Sequence, residues 1–94
     1  MELNFEWDEE KAKENFRKHK VSFEEAKTIF ADPFLMTFPD PEHSNNEQRY
    51  LNIGICSKGL IFVLVHTERE GNIRIINCRK ATTNERRAYE EGNI

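Results

Sequence analysis

Leu60-Ile61-Phe62-Val63-Leu64-Val65 is the longest uninterrupted apolar run in the chain, and its reading decides the fold. Both of its faces are apolar, which fits a central strand covered on two sides. At six residues it is far short of the roughly 20 that a membrane-spanning helix requires. Upstream, Ser57-Lys58-Gly59 is a hairpin turn, and before it Leu51, Ile53 and Ile55 alternate with Tyr50, Asn52 and Gly54 in a half-buried strand starting at Arg49. Downstream, Glu68 to Asn72 turns the chain again, with Gly71 available for a positive φ. Ile73, Ile75 and Asn77 then alternate with Arg74, Ile76 and Cys78 on a further strand. Phe34 to Phe38 supplies the first strand of this series, followed by a polar, acidic loop from Pro39 to Glu47 that contains His43.

Outside the strands, capping signals mark helices. Asp8 caps a helix whose first turn holds Glu9 and Glu10, and Ala12, Phe16 and His19, with Asn15 beside them, form its moderately apolar stripe. Ser22-Phe23-Glu24-Glu25 is a capping box for a second helix, stapled by Val21 and Ala26 and ended by Asp32-Pro33. Thr82 to Glu85 is another capping box, opening a C-terminal helix that runs through Glu91 and ends at Gly92. The expected fold class is therefore α+β: two N-terminal helices, a four-stranded antiparallel meander and a C-terminal helix, with the helices on one sheet face. A short strand from Leu3 to Phe5 would add an edge.

The chain has 94 residues, room for one domain over 1–94 and for a single core that buries roughly 60% of the unfolded surface. Met1 to Phe5 lacks the basic-then-apolar pattern of a signal peptide, and two cysteines argue against a disulfide-stapled secreted protein. A soluble, cytoplasmic domain with no membrane association is expected. The net charge of −3 conceals a division. Residues 1–47 carry 12 acidic and 6 basic side chains, whereas residues 48–94 carry 5 acidic and 8 basic ones. Six of those eight are arginines, whose planar fork suits bidentate phosphate contact. A folded face bearing several of them would bind phosphate in spite of the acidic total; a solvated, salt-bridged surface is the plainer alternative.

Candidate chemistry gathers at the strand ends. Metal-free cleavage of RNA needs a base for the 2′-hydroxyl, an acid for the leaving oxygen and cations for the phosphate charge. His19 and Glu68 are the candidate proton carriers; Arg49, Arg69, Arg79 and Lys80 are the candidate clamps. By antiparallel pairing, Glu68 and Arg69 fall near Arg74 and at the same sheet end as Arg49, while Arg79 and Lys80 run back toward the Ser57 turn. Which of these groups share a groove depends on the sheet's twist and on the helices. His66, closing a buried strand, reads as structural. No metal or cofactor is expected: Cys56, Cys78, His43 and His66 lack Cys-x-x-Cys or His-x-x-x-His spacing, and the four glycines form no phosphate-cradling fingerprint.

Several of these motifs together resemble those of BrnT-type toxins. They are Phe5-Glu6-Trp7-Asp8-Glu9-Glu10-Lys11-Ala12 with Asn15 and Lys18-His19, Val21 to Ala26, Asp40-Pro41-Glu42-His43-Ser44, Gln48-Arg49-Tyr50, Ile53-Gly54 and His66-Thr67-Glu68-Arg69. Ile73-Arg74-Ile75-Ile76, Arg79-Lys80-Ala81-Thr82 and Glu85 to Glu90 complete the likeness. The resemblance implies a RelE-like fold and a bacterial ribonuclease toxin of a type II toxin–antitoxin system. Such a toxin cuts RNA without a metal and is inhibited by a cognate BrnA-like antitoxin, through which alone it meets operator DNA. By motif position it carries over Lys18, His19, Arg49, Glu68, Arg69, Arg74, Arg79 and Lys80. Taken with the chemistry above, His19, Glu68, Arg69 and Arg79 are the expected catalytic residues and Lys18, Arg49, Arg74 and Lys80 the RNA contacts. The chain departs from the pattern at Lys20, where glycine is common, and at Asn77-Cys78, where Ser-Ala is more usual. A catalytically inactive relative serving as a protein-interaction or co-repressor module is the alternative. A general single-strand RNA binder, stacking bases on exposed aromatics such as Phe34, Phe38 and Tyr50, is a third.

Overall fold

The computed structural model describes residues 3–41 and 46–92; His43 lies outside them. Its central strand is the apolar run, extended to β4 (Ile61–Arg69) and paired antiparallel with β3 (Arg49–Ile55) and β5 (Asn72–Lys80). β2 (Met36–Pro39) pairs antiparallel with β3, so the expected meander is present. The sheet nevertheless has five strands rather than four, in the order β1-β5-β4-β3-β2. The fifth is β1 (Phe5–Glu6), the short edge strand expected at Leu3 to Phe5 but displaced toward the helix, and it lies parallel to β5 with Phe5 opposite Ile73 and Glu6 opposite Arg74. Two residues are too few to display an alternation.

The turn between β4 and β5 tightens to Glu70-Gly71, both at positive φ (50° and 82°), the geometry that matches strand twist in a two-residue hairpin. After β1 come α1 (Glu9–His19) and α2 (Phe23–Ala26). Asp8 accepts from the Glu10 and Lys11 amides, and Ser22 from the Glu25 amide, as the capping signals required. α2 makes only one α-helical turn before tightening into a 3₁₀ segment, Lys27–Ala31, that stops at Asp32-Pro33. Asp32 is buried and accepts from Phe34 N, Ile55 N and the Tyr89 hydroxyl. Burial opposes its charge, but those three donors prevail and hold its carboxyl below the usual range.

The helices do not share one face. Phe62 and Leu64 pack with Val21, Phe23, Ala26, Ile29, Ile75 and Cys78 beneath α1 and α2. Val63, pointing the other way, packs with Ile53 and with Tyr89 of α3 (Thr83–Gly92). The two-sided apolar character of the central run thus has its counterpart in helices on both faces, and the one-face arrangement is overturned. Cys78, buried in the first cluster, has its thiol pushed up to about 12, mainly by desolvation.

α1 also presents an unexpected side to the sheet. Phe16 is 52% exposed, whereas Asn15 is 6% exposed. β1 covers β5 only at Ile73 and Arg74, so further along β5 the outer edge has no strand partner among the described residues. Asn15 fills that place: its amide nitrogen donates to the carbonyls of Cys78 (2.9 Å) and Val21 (3.0 Å), and its oxygen accepts from Cys78 N (3.0 Å). A buried backbone edge must be paired, and that requirement outranks the burial of one phenyl ring.

Lys20 closes α1 in the left-handed region, φ 62°. This explains why glycine suits the position, since a Cβ there costs about 1 kcal/mol. Lys20→Gly is therefore expected to raise stability by about 1 kcal/mol, or roughly 4–8 °C in Tm for a domain of this size. An unchanged or lower Tm in thermal denaturation would remove the strain argument.

Candidate functional site

Side chains directly opposite one another in a sheet share a face. Starting from Val63 on the α3 face, alternation along β4 places Val65, Thr67 and Arg69 there too. Pairing extends this to Arg49, opposite Thr67, and Leu51, opposite Val65, on β3. On β5, Arg79 lies opposite Val63, Asn77 opposite Val65 and Arg74 opposite Thr67. Arg74 and Asn77 are three residues apart, and in a regular strand they would face opposite ways. A bulge brings them into phase: Val65 pairs with Asn77 and His66 with Ile75, so Ile76 is the extra residue. The simple alternation expected from the sequence, with Asn77 on the face of Ile73 and Ile75, is corrected by this one insertion. Cys78 joins the core, and Arg74, Asn77 and Arg79 share the other face.

α3 covers only part of that face, with Tyr89 near Ile53 and Val63. Toward the other end Leu51 and Val65 are half-buried and Phe38 is 44% exposed. Four of the eight expected site residues, Arg49, Arg69, Arg74 and Arg79, thus lie on one sheet face. Arg69 makes a bidentate pair with Glu47 (2.8 and 2.6 Å), and Arg74 meets Glu6 at 2.8 Å. These hydrogen bonds hold both carboxyls below the usual carboxylate range. Arg79 is held bidentately by Glu85 of α3 at 2.7 and 2.9 Å, and this guanidinium draws the Glu85 carboxyl down to about 2.

Lys18 and His19, in the last turn of α1, reach the open edge of β5. There they line a shallow cavity of about 370 Å³ together with Asn15, Ile76, Asn77 and Arg79. Asn15, one turn before His19, fixes that approach. Glu68 and Lys80 are not brought to this face: they oppose Ile73 and Phe62, on the α1 and α2 side. Sequence reasoning passed over Asn77, Thr67 and the carboxylates Glu6, Glu47 and Glu85. Thr67 and Asn77 depend on register and bulge, which leave no local signal, whereas Glu85 was already visible in the capping box.

Glu68 belongs to a different arrangement. Thr37 donates its hydroxyl to Asn52 Oδ1 (2.7 Å), leaving the Asn52 amide nitrogen for the Leu64 carbonyl (3.1 Å) and His66 Nδ1 (2.8 Å). His66 Nδ1 is then an acceptor and the ring proton lies on Nε2, 3.6 Å from Glu68 Oε2. At that distance the contact is electrostatic rather than a hydrogen bond. Tyr50 stacks on the ring and Phe30 meets it edge-on. Desolvation holds the imidazole below its ordinary range, outweighing the Glu68 carboxylate.

A pH dependence follows. The unfolded chain binds a proton near pH 6.5 that the folded chain resists, so stability is full above that pH and falls as the solution is acidified. Denaturant unfolding should show a decline between pH 7 and about 5, above the range in which carboxylates titrate, and His66→Gln should flatten it. A flat wild-type profile across that window would contradict the buried neutral imidazole.

The sequence profile described as "Ribonuclease toxin, BrnT, of type II toxin-antitoxin system" matches residues 7–85. Among solved structures, the fold is similar to that of the Brucella abortus ribonuclease toxin BrnT, with a TM-score of 0.68 and 20% identity over 87% of this chain and 100% of that one. No curated protein matches the sequence.

Proposed function

The chain belongs to the BrnT family of ribonuclease toxins from type II toxin–antitoxin systems, and from that premise we propose that it is a metal-independent endoribonuclease whose catalytic surface is the open, arginine-bearing sheet face beside α3. The observation that carries the proposal is the phase of β5: one bulge puts Arg74, Asn77 and Arg79 on the face already occupied by Arg49 and Arg69, with His19 at its edge. The 2′-oxygen attacks phosphorus, a new O2′–P bond forms, and the P–O5′ bond breaks, leaving a 2′,3′-cyclic phosphate and a 5′-hydroxyl. Arg79 stabilises the charge that develops on the phosphoryl oxygens. His19, rather than Glu68, takes the proton from the 2′-hydroxyl and gives it to the departing O5′, because it shares a cavity with Arg79 while Glu68 lies across the sheet. Arg49, Arg69, Arg74 and Lys18 hold flanking phosphates. A BrnA-like antitoxin neutralises the chain in the cytoplasm and is its only link to operator DNA.

Three of the arginines are already paired with Glu6, Glu47 and Glu85, an observation that favours the reading of an inactive interaction module. The Arg69–Glu47 pair is exposed, however, and there an RNA phosphate can compete with the carboxylate for the guanidinium. Incubation of the partner-free chain with total RNA separates the two readings. Fragmented RNA, intact DNA and protection by the antitoxin are expected. RNA left whole, with or without ribosomes, by a folded chain that still binds its antitoxin would establish the module instead.

A further inference from the structure

We infer that Phe38, Leu51, Val65 and Asn77 form a platform on which a base of the single-stranded RNA stacks, with the Phe38 ring as the stacking group. Phe38 lies opposite Leu51, Leu51 opposite Val65 and Val65 opposite Asn77, so the four side chains make one row across the arginine-bearing face of the sheet. The bulge at Ile76 completes the row, since it brings Asn77 onto this face. Tyr89 of α3 packs one row away, against Ile53 and Val63. That leaves the Phe38 ring exposed, and among the described residues no other ring stacks on it.

Charge fits this strip to a nucleic acid. Arg49 and Arg74 stand in the adjoining row on one side, and Arg79 stands two residues beyond Asn77 on the other. Two residues along a strand span about 7 Å, so an apolar floor for a base lies between cations for the phosphates on either side. The Asn77 end of the row opens into the cavity shared with His19 and Arg79, and so joins the proposed point of cleavage. The other candidate stacking rings are placed elsewhere: Tyr50 is stacked on His66 on the opposite face, and Phe34 precedes β2. The inference rests on the ribonuclease reading for the identity of the strand, but stacking itself requires only a base on a phosphate backbone. A residue that grips the substrate equally in ground and transition states changes KM and leaves kcat nearly unaltered.

The test uses the full chain with an uncleavable single-stranded 2′-deoxy oligonucleotide, and with the same strand lacking one base at each position in turn. Phe38→Ala is expected to weaken binding of the intact strand about tenfold, the size of one base–aromatic stack, and to raise KM for RNA by a similar factor at near-constant kcat. Phe38→Leu, apolar but without a ring, should lose nearly as much, whereas Phe38→Tyr should bind within about twofold of wild type. At one position, removing the base should cost the wild type about the same factor and the alanine variant almost nothing, the coupling expected of two groups in contact. Should the alanine variant fail to fold, titration of the wild type with the intact strand should move the Phe38 ring signals in NMR.

Equal binding by wild type and Phe38→Ala, full binding by Phe38→Leu, base removal that costs both chains alike at every position, or unmoved Phe38 signals would overturn the platform. So would a Phe38→Ala effect on antitoxin binding alone, which would make this strip a protein interface. Phe38-dependent binding in a chain that cuts no RNA would sink the ribonuclease reading and leave the platform standing. Cleavage with Phe38-independent binding would do the reverse.

Discussion

Arg79→Ala is expected to slow RNA cleavage by at least about a hundredfold, the cost of removing one preorganised donor to a developing oxyanion. The guanidinium is fixed before substrate arrives, bidentate to Glu85, which itself caps α3 through the Thr82 amide. The same substitution should also cost stability. Glu85 falls from an ordinary 4.5 to about 2, chiefly through Arg79. After discounting for partial solvent exposure, the pair is worth about 1–2 kcal/mol. Because the folded carboxyl is the stronger acid, this contribution is complete above pH 4.5 and disappears as the pH falls toward 2. Glu85→Gln separates the two effects. It should lose comparable stability yet cut RNA within about tenfold of wild type, since Arg79 remains. Undiminished cleavage by a folded Arg79→Ala chain would remove Arg79 from the mechanism.

Asn15→Ala should be the most destabilising single polar change, by about 3 kcal/mol or on the order of 15 °C in Tm. Its amide group pairs both backbone groups of Cys78 and the carbonyl of Val21. Alanine leaves three backbone groups without that partner in a buried setting, each costing about 1 kcal/mol or more. The total is a large share of the about 5–15 kcal/mol that holds a typical domain together. Activity should fall as well, because His19 lies one helical turn beyond the clamp and a displacement near 1 Å can cost roughly a hundredfold. A loss below about 1 kcal/mol in chemical denaturation would show that the helix is held by other contacts.

Much of this architecture was legible where local chemistry repeats. The capping residues Asp8, Ser22 and Thr82 announced the three helix starts, and the alternation around Leu51 to Ile55 announced a strand. The concealed features are those decided by partners distant in sequence. The edge strand expected at Leu3 to Phe5 is present as β1, but its bounds and its parallel pairing are set by the edge that Ile73 and Arg74 offer. The bulge at Ile76 follows Ile75 directly, and a second isoleucine there leaves no turn or glycine signal in the sequence. Without it, the arginines of β5 would divide between two faces. The burial of Asn15 over Phe16 could not be anticipated either, since it answers to an unpaired strand edge 63 residues away. The arginine-rich second half was visible as composition, whereas its assembly into one face depends on that single irregularity.

The central claim is that this sheet face cleaves RNA through the substrate's own 2′-hydroxyl. The most direct measurement is the chemical identity of the ends left when the partner-free chain cuts a defined RNA in the presence of EDTA. The expected products carry 2′,3′-cyclic phosphates and 5′-hydroxyls, and a 2′-deoxy substitution at the cleaved position should abolish cutting there. Ends bearing 5′-phosphates, cleavage that stops in EDTA, or continued cutting at the deoxy position would contradict it.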